Sequence, residues 1–151
     1  MSLIEAINAG LHVTAIVLLA GALYSEAFLF RRGMTQDDVK KLLLADATHA
    51  IATVLIFITG ALRLSVFQST DKSYLDNPFF ALKMLLFFVV VLLSLYPSAT
   101  FYRWRRALKQ GKPSMISYRQ HASVIWLIRL ELGVLLLIPM LVTLARAGFG
   151  D

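Results

Sequence analysis

Apolar residues run in four long blocks separated by short polar links. The blocks span about Leu3–Phe30, Leu42–Phe67, Pro78–Tyr96 and Ala122–Ala147. A hydrocarbon core of roughly 30 Å needs about 20 apolar residues at about 1.5 Å per helical residue, so each block is long enough to cross it. Arg31-Arg32-Gly33 closes the first block. Thr35 is the expected N-cap of the second helix, with Asp37 and Asp38 in its first turn. Asn77-Pro78 opens the third block, because proline fits a first helical turn. Pro97 is expected to bend or end that helix, and Gly148-Phe149-Gly150 to stop the fourth. The pattern predicts an all-α fold, a single integral membrane domain over residues 1–151. Short connections make it a four-transmembrane-helix antiparallel bundle.

Composition sharpens this picture. Hydrophobic residues make up 58% of 151 positions, and the mean hydropathy is +0.72. A soluble chain of this size cannot hide that much apolar surface. The net charge of +6 does not point to nucleic acid, because the basic residues gather in the connections. Arg103, Arg105, Arg106, Lys109, Lys112 and Arg119 lie between blocks three and four. Arg31, Arg32, Lys40 and Lys41 lie between one and two. Both connections fall at one end of an even bundle, so both are expected in the cytoplasm beside anionic headgroups. The termini and the loop around Asp71–Asp76 then face outward. Tyr96, Tyr102, Trp104, Tyr118 and Trp126 are expected at the cytoplasmic boundary. Cysteine is absent, which excludes disulfides, zinc–thiolate sites and iron–sulfur ligation. The first block lacks a basic n-region and a cleavage site and reads as a retained helix.

Ionisable residues interrupt the apolar blocks, and each is costly inside a bilayer without a partner. Glu5, Asn8, His12 and Glu26 share one face of the first helix. Asp46, His49, Thr53, Gly60 and Arg63 form a stripe on the second, at helical spacing. Lys83 lies on the third helix with Ser94 on the same face. Arg129 and Glu131 on the fourth are two apart and point to opposed faces, so one is expected inward and the other toward a neighbouring helix or the interface. The expected topology gives two stacked clusters. His12, Arg63 and Lys83, with Asn8, belong to the outer half. Glu26, Asp46, His49, Arg129 and Glu131 belong to the inner half. Structural readings stand beside these. Asp46 is one turn from His49 and positioned to orient it, Glu26 is positioned to pair with Arg31 or Arg32, and Arg63, Lys83 and Arg146 are near enough to helix ends to snorkel. Gly10, Gly21, Gly60 and Gly133 are expected to allow close helix contact. No phosphate-binding glycine loop, serine-nucleophile signature or paired metal motif is present.

Several segments carry a resemblance. They are Leu11-His12, Ala45-Asp46 with His49, Thr59-Gly60-Ala61-Leu62-Arg63 and Asn77-Pro78-Phe79-Phe80-Ala81-Leu82-Lys83. Ser94-Leu95-Tyr96-Pro97-Ser98, Arg103-Trp104-Arg105-Arg106, Glu131-Leu132 and Ala145-Arg146-Ala147-Gly148-Phe149-Gly150 complete the set. Over nearly the whole chain this resembles a family of bacterial four-helix membrane proteins known only as a domain of unknown function. The resemblance brings the fold and a bacterial inner (cytoplasmic) membrane but no established activity; the periplasmic termini follow from the charge of the connections. More distantly, Leu11-His12, Ala81-Leu82-Lys83 and the run Arg129, Glu131, Pro139 are similar to HemJ-type protoporphyrinogen oxidases and copper-resistance membrane domains. In HemJ proteins the histidine and lysine are tied to haem binding and activity. The chain departs from them in lacking their tryptophan-rich first-helix motif and in carrying His49.

Three functions follow as expectations. The first is a haem b or porphyrin protein of possible redox role and unknown redox partner. In it His12 ligates the iron, His49, Lys83 or an open site lies opposite, and Arg63 and Lys83 meet the propionates. At about 1.5 Å per residue His12 and His49 are roughly 10 Å apart in depth, which favours Lys83 over His49 beside His12. The second is a small transporter or proton-conducting channel, expected as a homo-oligomer, with Glu26, Asp46, His49, His12 and Lys83 as a relay. The third is a structural or assembly factor of a membrane complex.

Overall fold

The computed structural model describes residues 2–67, 78–110 and 116–147. Met1, the polar stretch Gln68–Asn77, Lys112 and the expected stop at Gly148-Phe149-Gly150 lie outside the described residues. So do the side chains of Val66, Phe67, Ala145 and Arg146. Four long helices account for most of the rest: α1 (Leu3–Leu29), α2 (Gln36–Leu62), α3 (Pro78–Lys109) and α4 (Tyr118–Arg146). A short π-helical turn, Arg63–Phe67, continues α2.

Local chemistry sets the starts. Ser2 Oγ accepts the Glu5 amide at 3.2 Å, and the Glu5 carboxylate accepts the Ser2 amide at 2.7 Å. Thr35 and Asp38 make the same reciprocal box at 3.2 and 3.1 Å, as expected of Thr35. Ser117 Oγ accepts the Gln120 amide at 3.2 Å ahead of α4. Such boxes satisfy amide groups that a helix N-terminus leaves without partners. Between α1 and α2 the chain reverses through Gly33, whose φ of +78° suits a residue without Cβ.

Three boundaries differ from the apolar pattern. The Thr35 cap starts α2 at Gln36 rather than Leu42, so a polar first turn precedes the apolar run. Helix α3 neither ends at Tyr96 nor stops at Pro97, but runs on to Lys109. In apolar surroundings a freed carbonyl finds no water, so continuing the helix past a proline costs less than unwinding it. Pro97 is buried, and Thr100 Oγ1 donates to the Tyr96 carbonyl at 2.8 Å just beyond it. Helix α4 begins at Tyr118, and the basic connection shortens accordingly.

The helices form a ring in chain order. α1 packs closely on α2 and α3 on α4, while thinner α1/α4 and α2/α3 seams join the two hairpins. Leu19, Leu23, Leu42, Ala52, Val124 and Ile128 are fully buried at the centre. The outer surface is apolar, with Leu3, Phe28, Leu44, Phe57, Leu136 and Met140 all exposed, and all four helices are long and apolar enough to cross a membrane. At the end where α1 and α3 finish, here the basic end, Phe30 is stacked between Trp104 and His121. Both ring centroids lie 5.1 Å from that of Phe30, and Phe101 lies 5.4 Å away. Trp104 is therefore part of this plug and not of the boundary belt, whereas Tyr102, Tyr118 and Trp126 are exposed. Toward the opposite end cover thins. No described α4 residue beyond Leu135 is buried, and before Val90 on α3 only Phe80 is.

Candidate functional site

The apolar core encloses a group of ionisable side chains near the basic end. Glu26 projects from α1 because it shares a face with the core residues Leu19 and Leu23. His49 lies on the α2 face that also buries Leu42, Ala45 and Ala52. Their side chains are 1% and 5% exposed, and His49 Nδ1 lies 3.1 Å from Glu26 Oε1. Nδ1–H donates and the carboxylate accepts, which leaves Nε2 as the free ring nitrogen. Glu131 of α4 is 0% exposed and within electrostatic range of both. Neither Glu131 oxygen has a hydrogen-bond partner among the described residues, and neither does Thr53 Oγ1, one turn along α2 from His49. Asp46, within range of Glu26 and His49, accepts from Ser98 Oγ of α3 at 2.5 Å.

A second group lies toward the opposite end. Asn8 Nδ2 donates to the Thr59 carbonyl at 3.1 Å, and His12 Nδ1 lies 2.7 Å from Thr59 Oγ1. Thr59 Oγ1 has one proton, and it goes to the Leu55 carbonyl at 2.6 Å. With that proton on Leu55 the hydroxyl accepts from His12 Nδ1–H, and a neutral ring then carries its lone pair on Nε2; the Ile56 backbone also bonds the ring. Gly60 lies against this ring, where a Cβ would make an ordinary contact of 3.5 Å with His12 Cε1. Arg63, opening the π-helical turn, and Lys83 of α3 are the cations within electrostatic range of the ring. Lys83 Nζ also sits 4.2 Å over the Phe80 ring.

Several expected pairings are replaced by others. Glu26, not Asp46, holds His49, because antiparallel packing of α1 on α2 sets them side by side. Glu26 does not pair with the arginines beyond α1; Arg31 instead meets Asp38 at 3.0 Å. Of the two α4 charges Glu131 turns inward, while Arg129 is exposed on the outer surface. Gly10, Gly21 and Gly133 face open space, and of these four glycines only Gly60 has a neighbour within 4 Å, at an ordinary contact distance, so the expected close helix approach is not seen at them. Thr59 and His49 are ten residues apart on α2, which is roughly 15 Å. His12 and His49 thus belong to separate levels and do not flank one flat group. Thr59 is the residue that pattern reading passed over; its place one turn before Arg63 on the polar stripe is the signal that marks it.

A family model described as a predicted membrane protein, DUF2214, matches residues 4–150. With the four apolar helices, this makes the chain a multi-pass membrane protein. No curated protein and no solved structure matches it. The likeness to HemJ-type oxidases gains no support from these comparisons.

Proposed function

We propose, for a chain that belongs to the DUF2214 family of predicted membrane proteins, that it binds haem b or a related porphyrin between its helices near His12. One observation supports this above others: an imidazole with Nδ1–H committed to Thr59, beside Arg63 and Lys83. Haem iron takes a neutral imidazole nitrogen, and a hydrogen bond on one ring nitrogen orients the other. The donor set fits. Nε2 of His12 would hold the iron, with Lys83 beside it either as a second nitrogen donor or, kept charged, as a propionate partner. Arg63 and Lys83 have the charge to meet two propionates. The thin cover at this end suits a flat macrocycle entering between the hairpins. Bound haem supplies a one-electron iron centre. The chain's own residues would orient the ligand through Thr59 and neutralise the propionates. The same reading sets the basic end in the cytoplasm of a bacterial inner membrane, by the bias of its arginines and lysines.

The test is an absorption spectrum of protein expressed with excess haem precursor and purified in mild detergent. A Soret band that H12A removes and K83A weakens or shifts is the expected result. No band after such expression, and none on titration with haemin, overturns the proposal. A reporter fused after Lys109 and active only in the cytoplasm checks the orientation.

A further inference from the structure

We propose that Glu131 and the Glu26–His49 pair form a water-bridged proton-exchange site, open to the aqueous phase past Thr53 and closed at the basic end. The inference is independent of any haem, since it concerns the other level of the bundle.

A carboxylate needs donors, and a carboxylic acid needs an acceptor for its O–H. Glu131 is fully buried and has neither among the described residues. Buried polar groups without protein partners are met by ordered water. The ionisable groups within its electrostatic range are Glu26 on α1 and His49 on α2. Asp46 on α2 faces the same pair and is held by Ser98 of α3. Water between Glu131 and the pair satisfies all of them.

Such a bridge also carries a proton. The Glu131 O–H passes its proton to water, and that water passes one to His49 Nε2. The imidazolium then pairs through Nδ1–H with the Glu26 carboxylate, and Glu131 is left as a carboxylate. Glu26, His49 and Glu131 together carry one negative charge before and after, so the transfer creates no new net charge in the apolar interior. The second buried atom without a partner is the next place along the interior where a bridging water would find a polar group. Thr53 Oγ1 lies one turn from His49 toward Thr59 and His12. The stack of Trp104, Phe30 and His121 closes the other direction.

Two measurements test this on protein in lipid vesicles. The carboxylic acid C=O band in the infrared should shift when the vesicles are moved into D2O and should be missing in E131Q. In wild-type protein, a band that fails to exchange refutes the site without any variant. E131D, which keeps the carboxyl, should retain a shifted band if E131Q proves unstable. A band unchanged in E131Q refutes the assignment. The chain has no cysteine, so single substitutions report cleanly. T53C should react with a small charged methanethiosulfonate and L19C should not, Leu19 being fully buried in the dry core. T53C as inert as L19C overturns the water path.

Discussion

Replacing each partner of the Glu26–His49 pair by leucine separates two kinds of buried loss. In E26L the volume is nearly kept, and a neutral imidazole loses the acceptor for Nδ1–H. An unsatisfied buried donor costs about 1–3 kcal/mol, and interhelical hydrogen bonds in membranes average about 0.6 kcal/mol, so a loss near 1 kcal/mol is expected. H49L is different in kind. It leaves Glu26 and Glu131 within electrostatic range of one another with the imidazole gone. A buried charge stripped of its partner costs about 3–5 kcal/mol, so H49L should be the more damaging change by about 2 kcal/mol or more. The double variant removes Glu26 as well as its partner and should recover at least about 1 kcal/mol of the H49L loss, as coupled neighbours do. Unfolding in mixed micelles with rising dodecyl sulfate, followed by far-ultraviolet circular dichroism, reads all four proteins. Equal losses for the two single variants, or a double variant that is their plain sum, would refute the reasoning that charge desolvation dominates this pair.

The opposite cluster and the plug give further expectations. T59V keeps the shape but removes the acceptor for His12, so nitrogen NMR of the ring should pass from one Nδ1–H tautomer to a mixture; an unchanged tautomer would contradict the assignment. G60A should be nearly neutral, because its Cβ would make an ordinary contact at 3.5 Å with His12, whereas G60L should displace the ring and reproduce the T59V spectrum. F30A should cost about 3–5 kcal/mol, as deletion of a buried phenylalanine does. It should also move tryptophan emission to the red through Trp104, since Trp126 is already exposed; emission that stays put would show that the stack does not shield Trp104.

The four spans were legible because lipid demands long uninterrupted apolar helices, and Thr35 was legible because capping is local. Pro97 misled for a related reason. In water a proline offers the chain an exit, and in an apolar surrounding it does not, so α3 continues. The interior faces were also readable: Glu26, His49 and Asp46 fall on the stripes that helical spacing assigns to the core. Partner choice was not. Asp46 is three residues from His49 and Glu26 is twenty-three, yet Glu26 makes the bond. Spacing along one helix says which side chains share a face, and nothing about the axial offset of the neighbouring helix.

That offset is what turns a list of polar residues into two separate sites. The Asn8–Thr59 and His12–Thr59 bonds and the Glu26–His49 bond are two fixed rungs between α1 and α2. They stand ten residues apart on α2, roughly 15 Å, too far for one small ligand to touch both. Chemistry divides along the same line. The rung near Arg63 and Lys83 gathers cations around a neutral imidazole, whereas the rung near Glu131 and Asp46 gathers carboxyls around another. A histidine among cations is favoured as a neutral ligand, and a histidine among carboxylates as a proton acceptor. If the two proposed roles hold, an exchange of Thr59 should disturb haem binding and leave the deuterium exchange of the Glu131 band in place, and an exchange of Glu131 should do the reverse.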